Sequence, residues 1–334
     1  KEITITPATS GKDIFVGDIA DTKTTSDGLL INQTAYSKMQ SPNLTIGGAG
    51  YDGTITVENA NGTLGRLNLI ADGTGGAINI SDDLVLTGND ALGVSLYIEG
   101  SGGTTDVSGE INSAGDIIIN DAVRILGASQ LWSDDGDITI TGGSAGIYSA
   151  NGSNDLSVRA YNGSIIAGNQ TGFGDNSGSD SFIDNLLLQS ANTTIGDGNH
   201  TISGIFQTPY DTLTIVGTGS TNLSADSYTM NDVQGNNNSL TVTATTTGYG
   251  GYVGSISDVL DLTFNGNGSD ASFDLRGNVT TAGFQNWNVP VLQLRDNEGD
   301  PSDHLNLTAG GDVTISEISR EVGFPKAGSI LSNL

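Results

Sequence analysis

The feature that most constrains this chain is a short unit that keeps returning. Gly136-Asp137-Ile138-Thr139-Ile140-Thr141 follows a Gly turn with an acidic residue and then an alternation of aliphatic and hydroxyl side chains. Gly115-Asp116-Ile117-Ile118-Ile119 lies 21 residues earlier, Asn162-Gly163-Ser164-Ile165-Ile166 follows, and Gly310-Gly311-Asp312-Val313-Thr314-Ile315 repeats the form near the other end. An alternation of period two puts Ile138 and Ile140 on one face of a strand and Thr139 and Thr141 on the other. Return at roughly 20 to 30 residues, with turns and no helical pattern between, is the signature of stacked coils.

The remaining runs fit that reading. Leu44-Thr45-Ile46, Ile55-Thr56-Val57, Leu67-Asn68-Leu69, Ile78-Asn79-Ile80 and Leu84-Val85-Leu86 are separated by Gly- and Asn-rich turns. Short β-branched strands punctuated in this way predict an all-β fold. The chain has 49 Gly, 35% hydrophobic and 6% aromatic residues, thin material for a globular core. A solenoid tolerates this, because each coil contributes only a few inward aliphatics to a narrow shared column. The expectation is an elongated right-handed parallel β-helix over 41–319, with an irregular N-terminal strand and cap over 1–40 and an irregular tail over 320–334. One coil per ~20 to 24 residues would give roughly 14 to 16 coils, a rod on the order of 70 Å long.

Charge narrows the function classes. Eleven basic against 38 acidic residues give −27, which disfavours nucleic acid and anionic membrane surfaces as partners. No run reaches the ~18 apolar residues of a membrane span, so membrane insertion is not expected. There is no Cys, hence no disulfide and no thiolate metal site. The chain opens at Lys1 without an apolar leader and reads as a mature or excised piece.

Leu156-Ser157-Val158-Arg159-Ala160-Tyr161-Asn162-Gly163-Ser164-Ile165 and Leu305-Asn306-Leu307-Thr308-Ala309-Gly310-Gly311-Asp312-Val313-Thr314-Ile315 resemble the repeats of filamentous-haemagglutinin-like exoproteins. The resemblance implies a β-helix exported across a bacterial envelope to serve in adhesion, biofilm or surface filaments. The Asn-Pro-Asn secretion motif of such exoproteins has only a single echo here, Ser41-Pro42-Asn43-Leu44.

The candidate chemistry is sparse. Asp134, Asp135 and Asp137 form the densest acidic group, with calcium as the cofactor they would hold, against the plainer reading of a solvated turn. Paired carboxylates on a β-helix also suit glycoside hydrolysis. Polygalacturonases, which use such a pair, also carry Gly-His-Gly and Arg-x-Lys elements, and both are missing. Gly47-Gly48-Ala49-Gly50-Tyr51-Asp52 matches part of a calcium-binding nonapeptide in one copy, where shared ions require several. His200 and His304 are far apart, and Asn199-His200-Thr201 reads as a turn. Trp132, Trp287, Tyr148, Tyr161, Tyr249 and Tyr252 are sugar platforms or covers for coil edges. Thr171 to Ser181 reads as a protruding loop. The expected function is a non-catalytic, extracellular structural or adhesive rod on a bacterial surface. Its partner would be another copy of itself, or a host or cell-surface glycan or protein. The alternative is a carbohydrate-active β-helix, a glycan-binding spike or polysaccharide-degrading enzyme.

Overall fold

The computed structural model describes residues 2–9, 11–39, 41–141, 146–167, 173, 182–267, 271–295, 305–316 and 318–319. Its chain is the expected right-handed parallel β-helix: 63% strand, 4% helix and about 10 turns. The 171–181 loop apart from Phe173, His304 and the 320–334 tail lie outside the described residues.

Every coil lays its strands on those of the previous coil in parallel register, and the register can be followed as a column. From Leu44 it passes through Leu67, Leu96, Ile117, Ile138 and Ile165. It continues through Thr193, Leu213, Val233, Ile256 and Val279 to Leu307. All of these side chains are buried. A second column descends another wall: Ile14, Ile55, Ile78, Thr105, Val123 and Ile147, then Phe173. Ala60, Leu84, Ile111, Leu131, Val158 and Leu188 make a third. The three walls enclose one continuous apolar core, and each coil depends on its neighbours to bury its contribution.

There are fewer turns than the expected 14 to 16, because several coils are longer than expected, as from Ile138 to Ile165, Ile165 to Thr193 and Val279 to Leu307. Thr193 to Leu213 takes 20 residues and Leu67 to Leu96 takes 29. At the spacing of parallel strands about 10 turns make a rod on the order of 50 Å long.

The N-terminal 1–40 segment is more regular than expected. Strand β1 (Glu2–Ile5) pairs with β4 (Asn43–Gly48), and β2 (Asp13–Gly17) pairs with Thr54–Glu58, so rungs begin at residue 2. The cap proper is β3 (Gly28–Ile31), laid on β2, and the five-residue helix α1 (Gln33–Ser37). The Asn32 side chain accepts from Ala35 N at 2.9 Å and starts the helix. Tyr36 from α1 is fully buried and lies over Gly62, where an added Cβ would come within 2.8 Å of its ring.

Two further glycines are fixed by sterics. At Gly251 φ is +98°, and an added Cβ would lie 1.9 Å from the Tyr228 carbonyl oxygen of the coil before. At Gly100 it would meet the Asp121 carboxylate at 2.4 Å.

Candidate functional site

The acidic residue of the repeating unit has a specific task. At the start of a strand its carboxylate accepts the backbone N–H of the matching residue one coil on. Asp116 Oδ1 accepts from Asp137 N at 2.9 Å, and Asp137 Oδ1 accepts from Ser164 N at 2.8 Å. The same contact recurs from Asp13 to Thr54, Asp83 to Glu110, Asp155 to Asn185, Asp232 to Ser255 and Asp261 to Phe284. Asn185 and Asn278 do it with amide oxygens. A turn between two parallel strands leaves an N–H without a ladder partner, and a short acceptor side chain one coil away satisfies it.

The three calcium candidates fall on this device. Asp137 is one of its links, Asp135 Oδ1 accepts from Asn162 Nδ2 at 2.8 Å, and the Asp134 backbone carbonyl accepts from the same amide at 3.2 Å. Asp134 and Asp135 are exposed. Among the described residues no group of three or more His, Asp or Glu side chains is arranged to hold a metal ion. In the partial nonapeptide, Asp52 Oδ1 accepts from Gly11 N and the Tyr51 hydroxyl donates to the Lys12 carbonyl, which again joins neighbouring coils.

His200 is not in a turn. It is buried inside Asn192–Thr201, level with Leu223 of the next coil, and its ring lies 5.7 Å from that of Phe173. Nδ1 accepts from Phe173 N at 3.3 Å, so Nε2 carries the proton and donates to Gly196 O at 3.0 Å. A ring engaged in this way on both nitrogens, in the core, has no path to a substrate.

Polar groups interrupt the column once more. Thr193 occupies a rung between Ile165 and Leu213, and its hydroxyl donates to Asp211 Oδ2 at 3.0 Å. Ser190 N and its hydroxyl bond the same oxygen. Burial, ahead of these bonds, pushes the Asp211 carboxyl up from its ordinary value. Burial likewise raises Asp121, which accepts from Thr105 and Ala122, and Asp116, whose neighbours Asp137 and Asp90 add like charge.

These shifts carry a sign. A carboxyl whose folded value lies above its unfolded one binds protons more readily when folded, so its contribution is present at low pH and lost as pH rises through the raised value. Asp27, whose carboxylate accepts from Thr24, is shifted the other way, and it acts below the ordinary carboxylate range. The melting temperature is therefore expected to rise from pH 7 to pH 5, above the pI of about 4.1. Asp211→Asn should flatten that rise. Thermal melts by circular dichroism at the two pH values check it, and a fall in melting temperature on acidification would refute the assignment.

Arginines among the described residues are engaged between coils. Arg124 forms a fork with Asp106 of the preceding rung, Nε to Oδ1 at 2.8 Å and Nη2 to Oδ2. Arg159 lies over the Trp132 ring at 5.8 Å, and Arg276 over Tyr252 at 3.7 Å. Asp274, fully buried, is approached by Arg295 at 3.0 Å and Arg276 at 3.5 Å, and it accepts from the Tyr249 hydroxyl at 3.0 Å. Partial burial, then the charge of Asp274, push the Tyr249 hydroxyl up to about 12, which leaves it a donor at neutral pH. The cluster ties three coils together.

Of the candidate aromatics, Trp287 is a core residue, fully buried and stacked on Phe264 at 4.7 Å. Trp132 and Tyr252 underlie arginines, and Tyr148 is half-buried. Tyr161 and Tyr249 are exposed, and so is Tyr210, which the sequence reading passed over. Comparison of the chain with models of protein families, with curated proteins and with solved structures finds no match.

Proposed function

We propose that this chain is a non-catalytic structural or adhesive rod, exported and held on a bacterial surface or assembled end to end into filaments or matrix. The observation that carries the proposal is the direction in which its polar side chains bond. Asp, Asn, Arg and Tyr groups that would build a catalytic cleft instead reach along the axis to the next coil, at Asp116–Asp137, Asp106–Arg124, Tyr252–Arg276 and Tyr249–Asp274. Such a molecule works through length, stiffness and a repeating surface. Side-chain ladders on the outer walls fit the same role: Asn288 donates to Asn265, and Asn265 to Thr243.

A charge of −27 keeps such rods apart in solution and sets the condition for assembly. Cations that screen the charge, calcium among them, would favour contacts between copies or with a surface. Electron microscopy of the purified protein in calcium and in chelator is the test, paired with adhesion to immobilised glycans and proteins. Filaments, sheets or adhesion support the rod. Dispersed particles that adhere to nothing in either condition, or turnover of a polysaccharide, overturn it.

A further inference from the structure

One wall of the C-terminal coils carries two outward ladders with no ionisable side chain. The first runs Asn199, Asn222, Thr241, Thr263, Asn286 and Thr314, each residue on the next in parallel register. The second, two residues along each strand, runs Thr201, Ser224, Thr243, Asn265 and Asn288. All of these residues are half-buried or exposed. The face begins next to Phe173, whose carbonyl accepts from Thr201 N. In the coils before it the same wall is charged, with Glu58, Asp106 and Arg124 on its outward side.

In a chain with 38 acidic residues this face stands apart. Carboxylates stop at its borders, where Asp226 accepts from the Thr245 hydroxyl and Asp261 from Phe284 N and Ser239. One border also exposes apolar surface, Leu260 and Phe284, which share a corner in adjacent coils. The ladders are ordered along the axis. Asn222 Nδ2 donates to Asn199 Oδ1 at 2.8 Å, as Asn265 does to Thr243 and Asn288 to Asn265. Side chains linked in this way repeat at the strand spacing of about 4.8 Å.

We propose that this face is a lateral contact between two copies of the chain, the same surface on each. Repulsion between rods of −27 is least where neither brings a charge. A second copy has rungs at the same interval by construction, so each ladder group meets a counterpart along the whole face. Neutral ladders rich in Asn close dry, interdigitated contacts between facing sheets about 10 Å apart. Six rungs at about 4.8 Å, by strands of about five residues, give an area on the order of 500 Å² per copy. That is the small end of specific interfaces. The contact is therefore weak for one pair of rods and strengthens when rods are joined in line. The inference rests on the structural reading of the rod and adds a sideways contact to it.

The absence of Cys gives a clean test. Thr263 lies near the middle of the face, so a two-fold pair brings both copies of it together, whereas Thr139 points outward from another wall. Treated with a short bismaleimide, Thr263→Cys is expected to form covalent dimers at least tenfold faster than Thr139→Cys. Sedimentation velocity should show the dimer fraction of the unmodified chain rising with NaCl, as repulsion is screened. Thr263→Asp should weaken association at least tenfold and Thr263→Ser leave it within threefold, each with an unchanged circular dichroism spectrum. Should Thr263→Asp fail to fold, Thr241→Asp takes its place. Monomers at every salt concentration, equal cross-linking at the two positions, or association untouched by the Asp variant overturns the proposal. Electron microscopy and adhesion are scored on the same samples. Filaments or adhesion without the lateral dimer remove the face and keep the rod, and a lateral dimer with neither does the reverse.

Discussion

Ile138→Asp is expected to remove the cooperative melting of the central coils, with a loss of at least about 4 kcal/mol. Ile138 is fully buried, between Ile117 and Ile165 in the column. A carboxylate there has neither water nor a donor, and it must be protonated or drag its coil open. In a solenoid a failed coil also uncovers the faces of the two it separates, so damage spreads outward from the break. Thr139→Asp, one residue along on the outer face, is the control and should shift stability by no more than about 0.5 kcal/mol. Thermal melts and limited proteolysis would distinguish them. A lower melting temperature for Thr139→Asp than for Ile138→Asp would show that the inner and outer faces have been interchanged.

Trp287→Ala should cost about 3 to 5 kcal/mol, by the cavity and lost contacts of a large buried aromatic, and the loss should be local. Trp287 stacks on Phe264, which in turn lies 4.9 Å from Phe273, and Tyr228 follows at 6.4 Å. This aromatic series runs through the C-terminal coils beside the aliphatic column that continues through Val233, Ile256 and Val279 to Leu307. Hydrogen exchange should accelerate in Gln285–Asn288 and the strands paired with it, Ile256–Gly266 and Val313–Ile315, while Leu44–Ile46 keeps its protection. Uniform acceleration along the whole chain would mean that the rod unfolds as one unit and that nearest-neighbour stability does not apply.

Some of the candidate chemistry was legible in residue order and some was not. The Gly-Asp signature was visible as a recurrence, and it marks the start of a rung. Its task was hidden, because the N–H that each carboxylate accepts lies 21 residues ahead at Asp116 but 41 ahead at Asp13. Only register says which turn lies on which. His200 was misread for a local reason: Gly196, Gly198 and Asn199 suggest a turn, whereas the strand accommodates them as a bulge between Gly196 and Gly198 and continues inward. The uncharged face escaped notice because each of its residues is ordinary within its own strand. Asn222, Thr241 and Thr263 meet only across coils.

What the sequence determined by itself was the class of fold and the inward face, since period-two alternation and recurrent turns are local properties written along the backbone. Ile138 and Ile140 are buried as that alternation requires. The tertiary structure alone decided the number of turns, the pairing of side chains between coils and the position of the uncharged face. Along the column from Leu44 to Leu307 the step from coil to coil runs from 20 to 29 residues, so residues that touch across the wall have no constant separation in the chain. Contacts between coils depend on the running sum of every turn before them, and a single insertion shifts which side chains meet while leaving each strand's own pattern untouched.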